Sequence, residues 1–217
     1  MFYMPQMRPI PKEATMEWWT ADRAVEQIAR RDDDRPFFGF VSFIAPHPPF
    51  APPIPFNRMY DPDRMLGPVC GELATDHLDS SIPNMTHALW AEDVSPLRAR
   101  VLKARYYGMV SFMDHCLGRI LDAVEARGDA DNTLIAFFTD HGEHLGDHHA
   151  WHMDGFFDTS CRIPYLLSWP AQLPADQRRG EFRQPGQHDC RDQRAEDRTT
   201  AADQDGDEEQ HRQVEGE

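Results

Sequence analysis

Cationic side chains are in short supply: 22 lysines and arginines face 37 aspartates and glutamates, for a formal net charge of −15. A surface of that sign repels polyanions and excludes DNA or RNA as expected partners. Long apolar runs are missing too. No stretch approaches the length needed to cross a bilayer, and the opening Met1-Phe2-Tyr3-Met4-Pro5-Gln6-Met7-Arg8-Pro9 has no basic region leading into an apolar run. A soluble, cytoplasmic chain with no export signal and no membrane partner is the expectation. Cysteines number only four, Cys70, Cys116, Cys161 and Cys190, and none falls into a C-x-x-C pair. That spacing matches neither a zinc ribbon nor a small disulfide scaffold, so ordinary thiols are expected.

What is present suffices for one domain with a real core, since 217 residues are 40% hydrophobic. The division expected is a folded body over 1–175 and a polar tail over 176–217. The tail holds thirteen acids and seven arginines, with Phe182 and Val214 its only large apolar side chains. Such a segment cannot bury enough surface to offset its ordering entropy and is expected to be disordered. Composition switches abruptly near Phe182, as either a genuine acidic tail or a frame-shifted reading would produce.

Two helix–strand–loop units precede the tail. The first places a helix from Thr20, as N-cap, through Ala21, Ala24, Val25, Ile28 and Ala29, with Asp32-Asp33-Asp34 breaking it. Phe37-Phe38-Gly39-Phe40-Val41-Ser42-Phe43-Ile44 follows, too short for a core helix and rich in aromatic and branched residues, which predicts a strand buried on both faces. A loop, Pro46-His47-Pro48-Pro49-Phe50, closes that unit. The second begins after Pro96 with an apolar stripe from Leu97 to Val124, stops at Gly128, and turns into the apolar strand Leu134-Ile135-Ala136-Phe137-Phe138. A third strand is predicted from Ile163 to Trp169. Helices alternating with two-sided apolar strands predict an α/β fold with a mostly parallel sheet flanked by helices. Ligands of such sheets sit beyond the carboxyl ends of the strands, which puts the His47 loop and the stretch after Phe138 on one rim.

That stretch reads Asp140-His141-Gly142-Glu143-His144-Leu145-Gly146-Asp147-His148-His149. Carboxylates and imidazoles crowding a glycine-containing loop at a strand end point to a divalent-metal site, the bland alternative being a solvated acidic loop. His47, a lone histidine among prolines, gains weight from its place at the end of another apolar segment.

Thr139 through His148 resembles the second metal-binding signature of the sulfatases and the related phosphonate monoester hydrolases of the alkaline-phosphatase superfamily. Pro36-Phe37-Phe38 through Phe50 is similar to their strand and histidine loop, and Asp158-Thr159-Ser160-Cys161-Arg162-Ile163-Pro164 to the stretch that closes their site region. Tyr106-Tyr107-Gly108 sits where the family has its helix before the metal strand. The likeness covers roughly residues 10 to 175 and implies a partial alkaline-phosphatase-like catalytic domain over 1–175. It implies metal-dependent hydrolysis of sulfate esters, with phosphate or phosphonate esters as related substrates. The substrate is then a small-molecule or carbohydrate sulfate ester.

By the same resemblance Asp140 and His141 match metal-ligand positions, and His47 matches the histidine that hydrogen-bonds the ester group and helps the leaving oxygen depart. Calcium is the family's usual metal, while an imidazole at 141 favours manganese or zinc. Two departures stand out. The nucleophile motif C/S-x-P-x-R does not occur in the sequence, the nearest imitation being Ser81-Ile82-Pro83-Asn84-Met85, and the family's first strand with its paired aspartates is not found either. Met153 occupies the position of a family lysine, either as packing against Phe156 and Phe157 or as a lost cationic donor that His152 partly replaces in substrate binding. The main alternative is therefore an inactive remnant that binds only a metal or oxyanion; a zinc hydrolase using the His-rich loop alone is a third reading.

Overall fold

The computed structural model describes residues 10–32, 35–69, 94–153 and 155–173; Asp33, Asp34, Cys70, the 81–85 segment, Cys190 and the expected tail lie outside the described residues. Helix α1 (Met16–Ala29) is capped by Thr15, whose hydroxyl accepts the Trp18 N–H at 3.2 Å. Thr20, the expected cap, lies inside the helix. The helix starts earlier because Thr15 offers an oxygen to an otherwise unpaired first-turn N–H, and because Trp18 then packs on the core.

Helix α2 (Pro96–Ala126) begins as its sequence predicts: the Ser95 hydroxyl accepts the Arg98 N–H at 3.3 Å and Pro96 takes the first turn. Beyond its last turn Gly128 adopts φ +76°, the left-handed backbone that ends helices. Two apolar clusters form along α2. Towards its start Ala99, Leu102 and Met109 bury Phe50 and Trp151, with Tyr106 and Leu145 packed around them. Further on, Phe112, Cys116 and Ile120 bury Ala21 of α1, with Trp18, Val25, Ile28 and Phe43 alongside. An ion pair from Arg119 to Asp22 joins the two helices, and the Arg119 guanidinium lies 3.7 Å from the Trp18 ring centroid. Among the described residues Cys116 and Cys161 are free thiols, and burial pushes the Cys116 thiol up to about 11. No described helix is long and apolar enough to cross a membrane.

The sheet departs from expectation. Strand β1 (Ile135–Phe138) pairs with β2 (Tyr165–Ser168) in antiparallel register, Ile135 opposite Ser168 and Phe138 opposite Tyr165. Between them lies the short helix α3 (Asp158–Cys161). The mostly parallel sheet expected from the helix–strand alternation is not found among the described residues, and residues 37–44 join no ladder. Phe38 is 91% exposed, and Phe40 and Ile44 are exposed with it. A strand buried on both faces needs neighbours at both edges and a layer on each side. Among the described residues only Phe43 of that segment packs on the helical core, and no described layer encloses the rest of the apolar run.

Unpaired apolar edges template association. The isolated chain is expected to self-associate, and Phe38→Lys to raise the concentration at which it does so by about tenfold, from the apolar area removed. Light scattering against concentration checks this; an unsubstituted chain that stays monodisperse would contradict it.

Candidate active site

His47 sits in a proline-rich turn whose peptide bonds to Pro46 and from Pro48 to Pro49 are cis. Its own N–H donates to the Ile44 carbonyl at 3.1 Å. The ring nitrogen Nδ1 lies 2.8 Å from the Pro48 carbonyl oxygen. A carbonyl only accepts, so Nδ1 carries the proton and Nε2 is left for chemistry. The turn is anchored by Phe50, fully buried against α2 with its ring 5.3 Å from that of Tyr106.

Asp140 and His141 follow β1. The His141 Nδ1 stands 2.7 Å from the Gly142 carbonyl, which assigns its proton to Nδ1 as well, and its Nε2 is 3.8 Å from Asp140 Oδ1. Burial nudges the Asp140 carboxyl up, but its own and the His141 N–H groups, the His141 charge and the Thr139 hydroxyl outweigh this and hold it below the usual carboxylate value.

His152 reaches the same place from the far end of the loop. Its ring centroid lies 5.2 Å from that of His47 and 6.5 Å from that of His141, and the His47 and His141 rings are 6.4 Å apart. Three imidazoles from two loops, one from the His47 turn and two from opposite ends of the loop after β1, therefore meet. Trp151, buried in the cluster that also holds Phe50, explains why: both histidine-bearing loops rest on the same stretch of α2. Met153 is half-buried, Phe156 stands 92% exposed, and Phe157 stacks on His148 at 4.2 Å.

Other polar residues of the loop turn inward. His144 is buried and its Nδ1 lies 2.5 Å from the Thr159 hydroxyl, while Asp147 accepts the Val69 N–H at 2.9 Å. Gly142 N–H donates to the Ser160 carbonyl at 2.8 Å, docking the loop after β1 onto α3. Glu143, which sequence reasoning left without a role, accepts the His152 N–H at 2.6 Å. Burial pushes its carboxyl up to about 7 against the pull of those N–H groups. Nearby Tyr106 is pushed up to about 12, by burial first and then by the Glu143 charge. Only the loop's acidic and histidine content was visible beforehand, and composition does not say which side chains face in.

Asp140 and His141 supply two donors that suit a divalent cation, and a carbonyl-bound Nδ1–H is the usual arrangement of a metal-ligating imidazole. They fall short of a shell: zinc takes about four ligands and calcium roughly six to eight. Among the described residues no group of three histidine, cysteine or acidic side chains is placed to hold an ion.

A family model described as Sulfatase matches residues 13–197. The chain belongs to the sulfatase family. An arylsulfatase of Clostridium perfringens is 30% identical over 156 residues, which cover 71% of this chain and 32% of that sulfatase. The multifunctional alkaline phosphatase superfamily protein PehA of Trinickia caryophylli is 33% identical over 172 residues, covering 73% and 33%. Among solved structures, the phosphonate monoester hydrolase of Agrobacterium radiobacter superposes with a TM-score of 0.65 at 32% identity, over 77% of this chain and 36% of that one. This sulfatase-family chain thus spans about a third of the length of these relatives, and its architecture is a part of the alkaline-phosphatase-like fold.

Proposed function

We propose that the chain contributes the leaving-group side and part of the anion and metal subsites of a hydrolase acting on sulfate esters of small molecules or carbohydrates, with phosphate or phosphonate esters as related substrates. The supporting observation is the meeting of His47, His141 and His152, with Asp140 alongside, in a sulfatase-family chain. Cleaving a sulfate monoester builds negative charge on the transferred group and on the departing oxygen, and preorganised donors lower that barrier. As an imidazolium, His47 donates Nδ1–H to Pro48 and Nε2–H to the leaving oxygen. His152 adds the second cationic donor where Met153 supplies none. Asp140 and His141 belong to the shell of a divalent cation, calcium by family or manganese or zinc by the imidazole, whose role when bound is to draw electron density from the ester oxygens.

Because the sequence holds no C/S-x-P-x-R pentapeptide, oxyanion binding is the sharper readout than turnover. Calorimetric titration of the whole chain with inorganic sulfate is expected to show binding that manganese or calcium strengthens about tenfold or more, and Asp140→Ala to abolish that gain. Sulfate binding that no metal alters would sink the metal assignment, and no sulfate binding in any condition would sink the reading itself.

A further inference from the structure

We infer that Glu143 is a positioning residue, whose carboxyl holds the main chain of His152 in the left-handed conformation that sets the His152 ring edge-on to His47. The inference deepens the proposed oxyanion site and rests on it for its functional consequence, though not for its geometry. Among the described residues three non-glycine positions have positive φ: Leu145 at +53°, His148 at +56° and His152 at +79°. All three lie within one eight-residue stretch. L-residues resist this region because Cβ crowds the following carbonyl, and such residues persist only where their surroundings over-determine them.

Glu143 Oε1 accepts the N–H groups of two of the three, His152 at 2.6 Å and Leu145 at 3.4 Å. The base of the loop is also laced by main chain, His144 N–H to the His152 carbonyl at 2.9 Å and Gly146 N–H to the Ala150 carbonyl at 2.9 Å. That lacing brings residue 152 beside residue 144. The carboxyl binds the His152 N–H, in the peptide group that precedes the one whose carbonyl His144 engages, and so fixes the backbone turn between the two. A carboxyl oxygen accepts in either protonation state, which makes the hold independent of the charge of Glu143.

The test is nuclear magnetic resonance on the full chain. Cross-relaxation between the ring protons of His47 and His152 is expected in the unsubstituted chain, to vanish in Glu143→Ala and to return in Glu143→Gln, whose amide oxygen still accepts. The contact between His144 and Phe157, whose ring centroids lie 5.6 Å apart, reports that the loop remains folded. Retention of the His47–His152 contact in Glu143→Ala overturns the inference. Amide exchange supplies a measurement that needs no variant: the His152 N–H is expected to exchange about 100-fold more slowly than an exposed amide, and unprotected exchange overturns the inference even if Glu143→Ala does not fold. Inorganic sulfate then probes the consequence, with binding about tenfold weaker in Glu143→Ala and restored in Glu143→Gln. An unsubstituted chain that shows the ring contact and amide protection but binds no sulfate counts against the oxyanion site and leaves the positioning role standing.

Discussion

Gly142→Ala is expected to lower the thermal midpoint by on the order of 10 °C and to take the histidine cluster apart with it. A Cβ at this position would lie 2.0 Å from the Thr159 carbonyl oxygen and 3.2 Å from Ser160 Cα. Both neighbours are main chain, so no side-chain rotation relieves the contact. The loop after β1 must lift from α3, which breaks the Gly142 N–H to Ser160 bond and draws Thr159 away from buried His144. Overpacking together with a lost buried hydrogen bond amounts to roughly 3–5 kcal/mol. Gly118→Ala is the matched control. Nothing lies within 4 Å of a Cβ there, and alanine inside α2 is expected to stabilise by about 1 kcal/mol. Thermal denaturation followed by circular dichroism reads both, and a Gly142→Ala midpoint within about 2 °C of the parent would show that the Gly142 loop and α3 are not docked as described.

Removal of His47 or His152 is the second large effect. Each is expected to weaken binding of inorganic sulfate by roughly 10- to 100-fold, the size of a lost hydrogen bond to a charged group. Because the two rings meet edge-on at 5.2 Å, they are expected to serve one anion, and the doubly substituted chain should lose less than the product of the single losses. Calorimetry on His47→Ala, His152→Ala and the double variant completes the cycle. Strict additivity would mean that the rings act on separate anions, and unchanged affinity in His47→Ala would remove it from the site.

Helix α2 was legible almost to the residue, because its stop and start are local chemistry: Ser95 and Pro96 at one end, Gly128 at the other. The strand at 135–138 was equally plain from its apolar run. The 37–44 segment has the same composition and yet joins no ladder, since pairing depends on what lies beside a strand and no pattern within the segment encodes that. The antiparallel partnership of β1 with β2 escaped for the same reason. Within the site, His47, Asp140 and His141 were reached through family likeness and His152 through the neighbouring Met153, and the structure brings all four into one region. Glu143 stayed hidden because its part depends on the positive φ of His152, and a histidine shows no sign of its backbone angle in the sequence. His144 and Asp147 looked like candidates equal to Asp140; burial separates them.

His47 and His141 each hand the Nδ1 proton to the carbonyl of the very next residue, Pro48 and Gly142. The tautomer of both rings is thereby written into a dipeptide. No neighbouring side chain has to hold it, so substitutions around the two rings are expected to leave their proton placement as it is.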